Sequence, residues 1–340
     1  MNAGPCENAT AWDAYVQAHP QASNYHRWLW KHVIEETYGH RTFYLAAQDQ
    51  GEIRGVLPLV EMKSWLWGRF LVSMPFCSYG GALASDTPAL ESLLRTAEEI
   101  ARESQADYIE LRQGDVLANR WQSNTGKVCM KVALPASPEL LFGKLSSRLR
   151  NKIRGAEKQG LQAVWGKEEL LDEFYSVFSC NMRNLGTPVY PRRWFENFLR
   201  SAASTTQILL VRDGSEPVAA TWVTTFREEA ELPWIASTPE ARGKYSTSLL
   251  YWKALEWATE KGFRRVDLGR CTPGSGTYRF KTQWLCEEIP LPWNYWLKEG
   301  ESLPHLRPDN PRLRLAVETW KRLPLGLANW LGPRIVRAIP

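Results

Sequence analysis

The sequence predicts an α/β (α+β) fold in which one β-β-β-α-β unit occurs twice in tandem. A repeated pattern supports this: Ser92-Leu93-Leu94 and Ser248-Leu249-Leu250 each begin a helical stretch that ends in a strand-like run, 107–112 in one copy and 264–270 in the other. The first serine and the acidic residue of the strand are 18 residues apart in one copy and 19 in the other. We expect two homologous units that share a core and leave a cleft between them. The alternative is a chance similarity of two ordinary α/β segments.

Each predicted helix follows two strand-like runs joined by a short turn, which is the signal of an antiparallel hairpin. The runs are 43–47 with 53–60 in the first copy and 207–211 with 218–226 in the second. A further run at 231–237 supplies the third strand of the second copy.

The domain organisation follows from this repeat, since 340 residues suit two domains of ordinary size. We expect residues 1–140 to form the first unit with a helical lead-in and 141–162 to form a basic linking helix. The second unit then covers 163–300, and 301–340 is a basic amphipathic tail.

The tail carries the whole charge excess of the chain. The net charge is +5, and between 307 and 340 there are seven Lys or Arg against two acidic residues. Leu313, Val317 and Trp320 are spaced as on one face of a helix. Two interpretations stay open: a helix that packs on the body of the protein, or one that contacts an anionic membrane surface through 311–340.

Several classes of protein are disfavoured. No apolar run reaches the roughly 18 residues needed to span a bilayer, and no signal peptide is present. The six cysteines have no C-x-x-C spacing and no neighbouring His cluster, so we expect reduced thiols in the cytoplasm and no metal site. The motifs G-x-S-x-G, H-E-x-x-H, Walker and Rossmann are missing, which argues against covalent and metal catalysis.

A basic helix is predicted over 139–159. Its apolar stripe recurs every four residues, at Leu141, Leu145, Leu149 and Ile153. Its candidate anion-binding side chains are Arg150, Lys152 and Arg154. Like charges in a row cost stability unless an anion lies nearby, so contact with the phosphates of a tRNA or of a diphosphate substrate is one interpretation. A charged face that bridges two domains and is solvated is the other.

An acyl-transfer scaffold fits the remaining pattern. A helix N-terminus opposite open strand ends offers backbone N–H groups to a phosphate or to a developing oxyanion. Arg242 and Lys244 lie in the loop before the helix of the second copy. The general shape of this loop resembles the pyrophosphate loop of acetyltransferases of the GNAT superfamily, although the pattern R-x-x-G-x-G/A is incomplete.

The stretch 269–284, GRCTPGSGTYRFKTQW, closely resembles the C-terminal signature of the FemAB-like family, whose members contain two GNAT-type domains. The basic helix at 147–158 matches that family too. Further matching segments are 55–59, 75–81 and 184–191. Together they resemble the branch associated with PEP-CTERM/exosortase exopolysaccharide loci.

The resemblance implies two tandem GNAT-like domains and an N-acyltransferase activity. The best-characterised members transfer an amino acid from aminoacyl-tRNA to an amine of a peptidoglycan precursor. For this chain we expect an aminoacyl-tRNA or an acyl-CoA as donor, no tightly bound cofactor, and an amino group of a cell-envelope or exopolysaccharide precursor as acceptor. The reaction is expected in the cytoplasm, at the inner face of the inner membrane.

The resemblance also implies the site residues. Phe280 and Lys281 match the Phe-Lys pair that lies near the acyl donor in those members, and the Lys281 ammonium would stabilise an oxyanion or the departing ribose oxygen. Tyr278 would orient the donor. The substrate-binding candidates of the matching segments are Tyr190, Arg270, Gly274, Ser275 and Gly276.

Other interpretations remain for these residues and for the whole chain. Lys281 is alternatively a surface lysine beside a core phenylalanine, and Asp267 is either a general base or a hydrogen-bonded structural residue. The chain is alternatively an acyl-CoA-dependent N-acetyltransferase, or a non-catalytic scaffold of a polysaccharide assembly system.

Overall fold

The computed structural model describes residues 1–64, 68–114, 117, 121–301, 303 and 311–339, with the backbone alone for Arg242 and for 311–314. The described residues form two compact units. The first lies within Met1–Lys127, Pro290–Leu306 and Arg337–Pro340, and the second within Val128–Ile289 and Arg307–Val336. Each unit is therefore assembled from separate stretches of the chain.

Each unit contains one sheet. The strands of the described residues are β1 (Asn2–Pro5), β2 (Thr42–Asp49), β3 (Glu52–Ser64), β4 (Gly68–Val72), β5 (Leu83–Ala84), β6 (Tyr108–Arg112), β7 (Gln122–Asn124), β8 (Val128–Ala133), β9 (Leu161–Gly166), β10 (Thr206–Asp213), β11 (Glu216–Phe226), β12 (Glu229–Ser237), β13 (Arg265–Cys271), β14 (Glu287–Pro290) and β15 (Trp293–Leu297). The α-helices are α1 (Ala9–Ala18), α2 (Leu29–Tyr38), α3 (Thr87–Glu103), α4 (Pro138–Lys144), α5 (Ser147–Lys158), α6 (Leu171–Leu185), α7 (Arg192–Ala202), α8 (Ser246–Glu260), α9 (Gly276–Lys281), α10 (Pro311–Lys321) and α11 (Leu325–Val336).

The sheet of the first unit has the strand order β1-β2-β3-β4-β6-β15-β7, with β5 beside β3. The predicted hairpin is β2–β3, in which Phe43 lies opposite Leu59. Strands β4 and β6 pair in parallel. A parallel pair requires a crossover connection, and α3 forms part of the connection from β4 to β6. The side chain of Asp86 caps α3 by accepting from the Ala89 amide at 2.9 Å.

The sheet of the second unit repeats this plan in the order β14-β8-β13-β12-β11-β10-β9. The hairpin β10–β11 places Gln207 opposite Val223, and α8 connects β12 to its parallel neighbour β13. The helix packs on the sheet through its apolar face, which includes the buried residues Leu249, Leu250, Leu255 and Ala258. The predicted duplication of a β-β-β-α-β unit is confirmed.

The basic segment forms two helices where the sequence predicts one. The break lies at Leu145, whose backbone is extended, and Ser146 starts the second helix by accepting from the Leu149 amide at 3.3 Å. A serine that can cap a helix competes with continuation of the preceding one. The apolar stripe is as predicted, since the side chains of Leu141, Leu145, Leu149 and Ile153 are all buried. Helix α5 packs mainly on α8 of the same unit.

The end of the chain forms the helices α10 and α11, which pack on α6 in the second unit. A side chain on Gly332 would come within 2.9 Å of the Val189 amide nitrogen, so α11 approaches this segment closely. No helix within the described ranges combines the length and the apolar character needed to cross a bilayer.

Candidate functional site

The second sheet opens between its two parallel strands. Strand β12 pairs with β13 at three positions, the last of which joins Glu231 to Asp267. Beyond this last paired position, β12 continues to Ser237 beside β11, and β13 continues to Cys271 beside β8. Pro233 has no N–H group and cannot extend the parallel ladder, which gives a physical reason for the separation. Because α8 follows β12, its N-terminus lies at the edge where the strands diverge.

A bulge in β13 occurs at the same level. The pairing with β8 shifts between Asp267 and Arg270, and Gly269 has φ +80°, which only glycine adopts readily. The Gly269 amide donates to Oδ1 of Asp267 at 2.6 Å. The other carboxylate oxygen of Asp267 lies 3.5 Å from the ammonium of Lys131, and the Asp267 side chain is fully buried. These contacts suit a structural role of Asp267, while its predicted role as a general base stays a prediction.

The ammonium of Lys281 lies under this bulge. It donates to the carbonyl oxygens of Gly269 at 2.9 Å and of Arg270 at 3.2 Å, and the residue is 4% exposed. Burial lowers the pKa of Lys281, against the opposing effects of Cys271 and Asp267. A side chain on Gly269 would lie 3.7 Å from this nitrogen and 3.8 Å from the Leu232 carbonyl oxygen of β12. The charge therefore lies where the two strands separate, inside the protein and not at its surface.

The stretch between β13 and Lys281 contains the short helix α9. Gly274, at φ +79°, allows the turn, and the hydroxyl of Ser275 accepts from the Tyr278 amide at 3.2 Å as the cap of α9. Gly276 is the first residue of that helix. The Ser275 hydroxyl thus has a structural partner, and its predicted role in substrate binding stays a prediction.

Two aromatic residues hold α9 in place. The ring of Phe280 packs edge-on against that of Tyr251 on α8, with 5.0 Å between the centroids, and lies 6.3 Å from the ring of Trp284. The hydroxyl of Tyr278 donates to the carboxylate of Glu288, and this hydrogen bond raises the pKa of Tyr278. Phe280 is therefore placed to orient the helix that carries Lys281.

The loop before α8 has its own anchors. Lys244 forms an ion pair with Asp213 at the end of β10, and the side chain of Arg242 lies outside the described residues. Tyr245, in the left-handed region at φ +60°, precedes the helix without a side-chain cap and is 42% exposed. A side chain on Gly155 of α5 would lie 3.7 Å from the Tyr245 ring. The predicted anion-binding loop thus borders the basic helix.

The three cations of the basic helix have different surroundings. Lys152 donates to the side-chain oxygen of Gln283 at 3.3 Å, which brings it next to the end of α9. Arg150 donates to the Gly143 carbonyl at 2.9 Å, and the guanidinium of Arg154 lies 5.3 Å from the centre of the Phe142 ring. Of these three predicted residues, Lys152 is the one whose described contact leads to the Lys281 segment.

Tyr190 lies in an aromatic cluster between α6, α7 and β12. Its ring is 5.9 Å from that of Trp194 and 6.4 Å from that of Trp234, and its carbonyl accepts from the Tyr175 hydroxyl at 3.0 Å. Trp234 belongs to the part of β12 that has separated from β13. Tyr190 is therefore near the strand that borders the opening, but it is not in the group around Lys281.

Sequence reasoning missed Lys131 and Tyr251. Lys131 interrupts the apolar strand β8 and pairs with both Asp267 and Glu229, at 3.5 and 2.8 Å. A single cation within an apolar run was the signal that could have revealed it. Tyr251 gives no such signal, since its position on α8 is typical of the core. In the described part of the chain, no cluster of three or more His, Cys, Asp or Glu side chains could hold a metal ion.

Comparisons with known proteins show what this chain resembles. Residues 143–282 match the family model described as "Acetyltransferase (GNAT) domain". No curated protein matches the chain.

Three solved structures share the fold. FemX is 16% identical, with 86% of this chain and 97% of that chain covered and a TM-score of 0.68. The C-terminal domain of a putative lysylphosphatidylglycerol synthetase from Agrobacterium fabrum is 13% identical, covering 84% and 91%, with a TM-score of 0.57. A tandem GNAT protein of the clavulanic acid biosynthesis pathway is 12% identical, covering 78% and 84%, with a TM-score of 0.52.

These likenesses confirm the tandem GNAT-like architecture and, at the level of the fold, the resemblance to FemAB-like proteins. The assignment to the PEP-CTERM-associated branch stays a prediction. The strand opening, the bulge at Gly269 and the buried Lys281 all lie within the matched GNAT range.

Proposed function

We propose that this chain, with a GNAT domain at 143–282 in a FemX-type fold, is an N-acyltransferase. It would transfer an aminoacyl or acyl group to an amino group of a cell-envelope or exopolysaccharide precursor. The observation that carries this proposal is the buried ammonium of Lys281 at the point where β12 and β13 separate. A fixed positive charge beside an open strand edge suits a carbonyl whose oxygen becomes negative during the reaction.

In the proposed reaction, the donor carbonyl lies in the opening between the strands. The acceptor amine attacks the carbonyl carbon, a carbon–nitrogen bond forms, and the bond to the donor's oxygen or sulfur breaks. The amine loses a proton, and the departing group takes one up. Lys281 stays non-covalent in this scheme: it holds the carbonyls of Gly269 and Arg270, and its charge stabilises the developing oxyanion.

The donor remains a choice between two chemistries. The match to an acetyltransferase family model and the likeness to the tandem GNAT protein of the clavulanic acid pathway favour an acyl-CoA. The resemblance of 269–284 to FemAB-like proteins and the likeness to a domain named for lysylphosphatidylglycerol synthesis favour an aminoacyl donor. We place the aminoacyl donor first, because the resemblance includes the segment that carries Lys281.

The test is the transfer of label to envelope precursors by the purified protein. Labelled amino acids with charged tRNA, with and without ribonuclease, are compared with labelled acetyl-CoA. A product that ribonuclease abolishes supports the aminoacyl donor, whereas label from acetyl-CoA alone supports the acetyltransferase. No product from either donor would contradict the proposed activity.

Lys281→Met tests the role of the ammonium, and Lys167→Met is a matched control. Lys167 also donates to a backbone carbonyl, that of Ala203 at 2.9 Å, but it is exposed and lies outside the site. Loss of an oxyanion-stabilising group lowers kcat by about 10²–10³-fold. We expect such a loss in Lys281→Met and near-normal activity in the control, with both proteins shown to be folded by thermal unfolding.

A second candidate function follows from the same contacts. The side chains of Lys281 and Ser275, and the carboxylate of Asp267, all have partners within the protein, as they would in a non-catalytic scaffold. A scaffold would retain its cellular phenotype when Lys281→Met replaces the original chain, whereas the enzyme would not.

A further inference from the structure

The two C-terminal helices present different faces to the protein and to solvent. Their inner faces are fixed on α6 and on the segment after it. The Arg183 guanidinium donates to the carbonyls of Lys321 and Leu323 at 3.5 and 3.4 Å, and Asn329 donates to the Ser179 hydroxyl at 3.3 Å. The helices are therefore part of the folded second unit.

Their outer faces expose large apolar side chains. Trp330 is 58% exposed, Leu315 70%, Leu327 42% and Ile335 38%. The described residues contain nine exposed large hydrophobics, and four of them belong to this helix pair. We call Leu315, Leu327, Trp330 and Ile335 the apolar face. Large exposed apolar side chains concentrated on one pair of helices mark a candidate surface for contact with a partner.

Cations accompany the apolar face. The Arg334 guanidinium lies 4.2 Å from the centre of the Trp330 ring and donates to the Trp330 carbonyl. Arg322 is exposed between the two helices, and the sequence from 307 onward carries seven Lys or Arg and two acidic residues. Tryptophan favours the boundary between headgroups and acyl chains, and arginine favours anionic headgroups, so this combination suits a lipid surface.

We propose that the apolar face docks on an anionic membrane surface, with the helices lying in the plane of the interface. The insertion would need no unfolding, because the inner faces remain on α6. Self-association is a poorer match, since a two-fold contact through this face would bring Arg322 and Arg334 of two copies together. This surface does not depend on the proposed acyl transfer, because none of its residues belongs to the site around Lys281.

Vesicle co-sedimentation of the full chain tests the proposal. Vesicles of phosphatidylcholine alone are compared with vesicles that contain an anionic phospholipid, at low and high salt. We expect binding to the anionic vesicles that weakens as salt rises. A chain that stays in the supernatant with anionic vesicles, or that binds neutral vesicles equally well, would overturn the proposal.

Variants locate the surface. Trp330→Ser with Leu327→Ser removes apolar side chains, and we expect the partition coefficient to fall by about tenfold or more. Arg322→Gln should lower it by about fivefold. The matched controls are Leu140→Ser, which changes a side chain 55% exposed on α4, and Arg95→Gln, which changes an exposed cation on α3. Equal losses in variants and controls would contradict the assignment.

Two further measurements distinguish membrane docking from dimerisation and from a failure of the proposed acyl transfer. Light scattering of the unmodified chain reports its mass, and a dimer that Trp330→Ser with Leu327→Ser dissociates would show that a second copy covers this face. Acyl transfer to a water-soluble acceptor should be unchanged in these variants, so failure of membrane binding and failure of the proposed activity are distinguishable.

Discussion

The ammonium nitrogen of Lys281 lies 2.9 Å from the carbonyl oxygen of Gly269, the residue whose positive φ creates the bulge in β13. This contact ties the end of α9 to the strand edge at the opening between β12 and β13. The position of the charge and the shape of the edge are therefore coupled, and a change in either should affect the other.

Substitution of Gly269 tests this coupling. Gly269→Ala places a methyl group at φ +80°, and we expect the free energy of unfolding to fall by about 1–2 kcal/mol. The control is Gly214→Ala, at φ +61° in a turn with no atom within 4 Å of the added carbon. Both variants should lose stability in urea unfolding, but only Gly269→Ala should also lose transfer activity. Equal activities would contradict the coupling.

Asp267→Asn separates the structural from the catalytic role of this buried residue. The amide oxygen can still accept from the Gly269 amide, but the charge that faces Lys131 is lost. We expect a loss of about 1–3 kcal/mol in unfolding free energy and an unchanged pH dependence of kcat. If Asp267 is a general base, the variant will instead lose the acidic limb of its pH–rate profile while remaining stable.

His26 should make the first unit sensitive to acid. Burial lowers the pKa of His26 to about 4, and the Ser23 amide donates to Nδ1 of this ring at 3.1 Å. Between pH 6.5 and about 4 the unfolded chain binds the extra proton, so stability is complete above pH 6.5 and falls as the pH decreases. The expected loss from pH 7.5 to pH 4.5 is about 2–3 kcal/mol.

His26→Asn keeps an acceptor for the Ser23 amide and does not titrate in this range. In urea unfolding at the two pH values, its loss of stability should be smaller than that of the unmodified chain by this amount. Burial also lowers the pKa of His40 to about 4, so part of the dependence will remain. His32→Asn, at an exposed position, is the control, and an equal change in both variants would refute the assignment.

If the basic helix binds a tRNA donor, the dissociation constant should depend on salt concentration. Each phosphate contact contributes about one unit to the slope of log Kd against log salt concentration. If the helix binds tRNA, replacing Arg150, Lys152 and Arg154 by Gln should lower the slope by about two to three units. Arg264→Gln, which removes a 75% exposed cation paired with Glu228, should leave it unchanged. A slope unaffected by the triple variant would favour the solvated-face interpretation.

Local patterns in the sequence were sufficient to predict the repeated β-β-β-α-β unit. The turn between 47 and 53 and the alternation around it predict the hairpin β2–β3, and the helical stretch predicted from Ser248 is α8, which begins at Ser246. Membership of a sheet is a long-range property, which explains why neither β15 nor β8 could be assigned to its sheet from local pattern. The helix α9 was missed because it is short and because Gly274 and Gly276, residues that disfavour helix formation, flank its N-cap.

The site is harder to infer than the fold. The resemblance of 269–284 to the FemAB-like signature singles out Lys281. A lysine is nevertheless expected at the surface of a protein. The burial of Lys281 depends on the bulge at Gly269 and on α9, which the sequence alone does not reveal. Asp267 and Lys131 meet across two strands distant in the sequence. The roles of the individual site residues remain predictions that the variants above can test.

Strand β15 has a consequence for biosynthesis. It lies between β6 and β7, so the sheet that contains the N-terminus acquires this strand from residues 293–297. On the ribosome, the N-terminal part must wait, with an unprotected edge at β6, until residues 293–297 have been translated. A fragment that stops at residue 127 should therefore be prone to aggregation, and rescue by a separately added peptide spanning β15 would be a direct sign of this dependence.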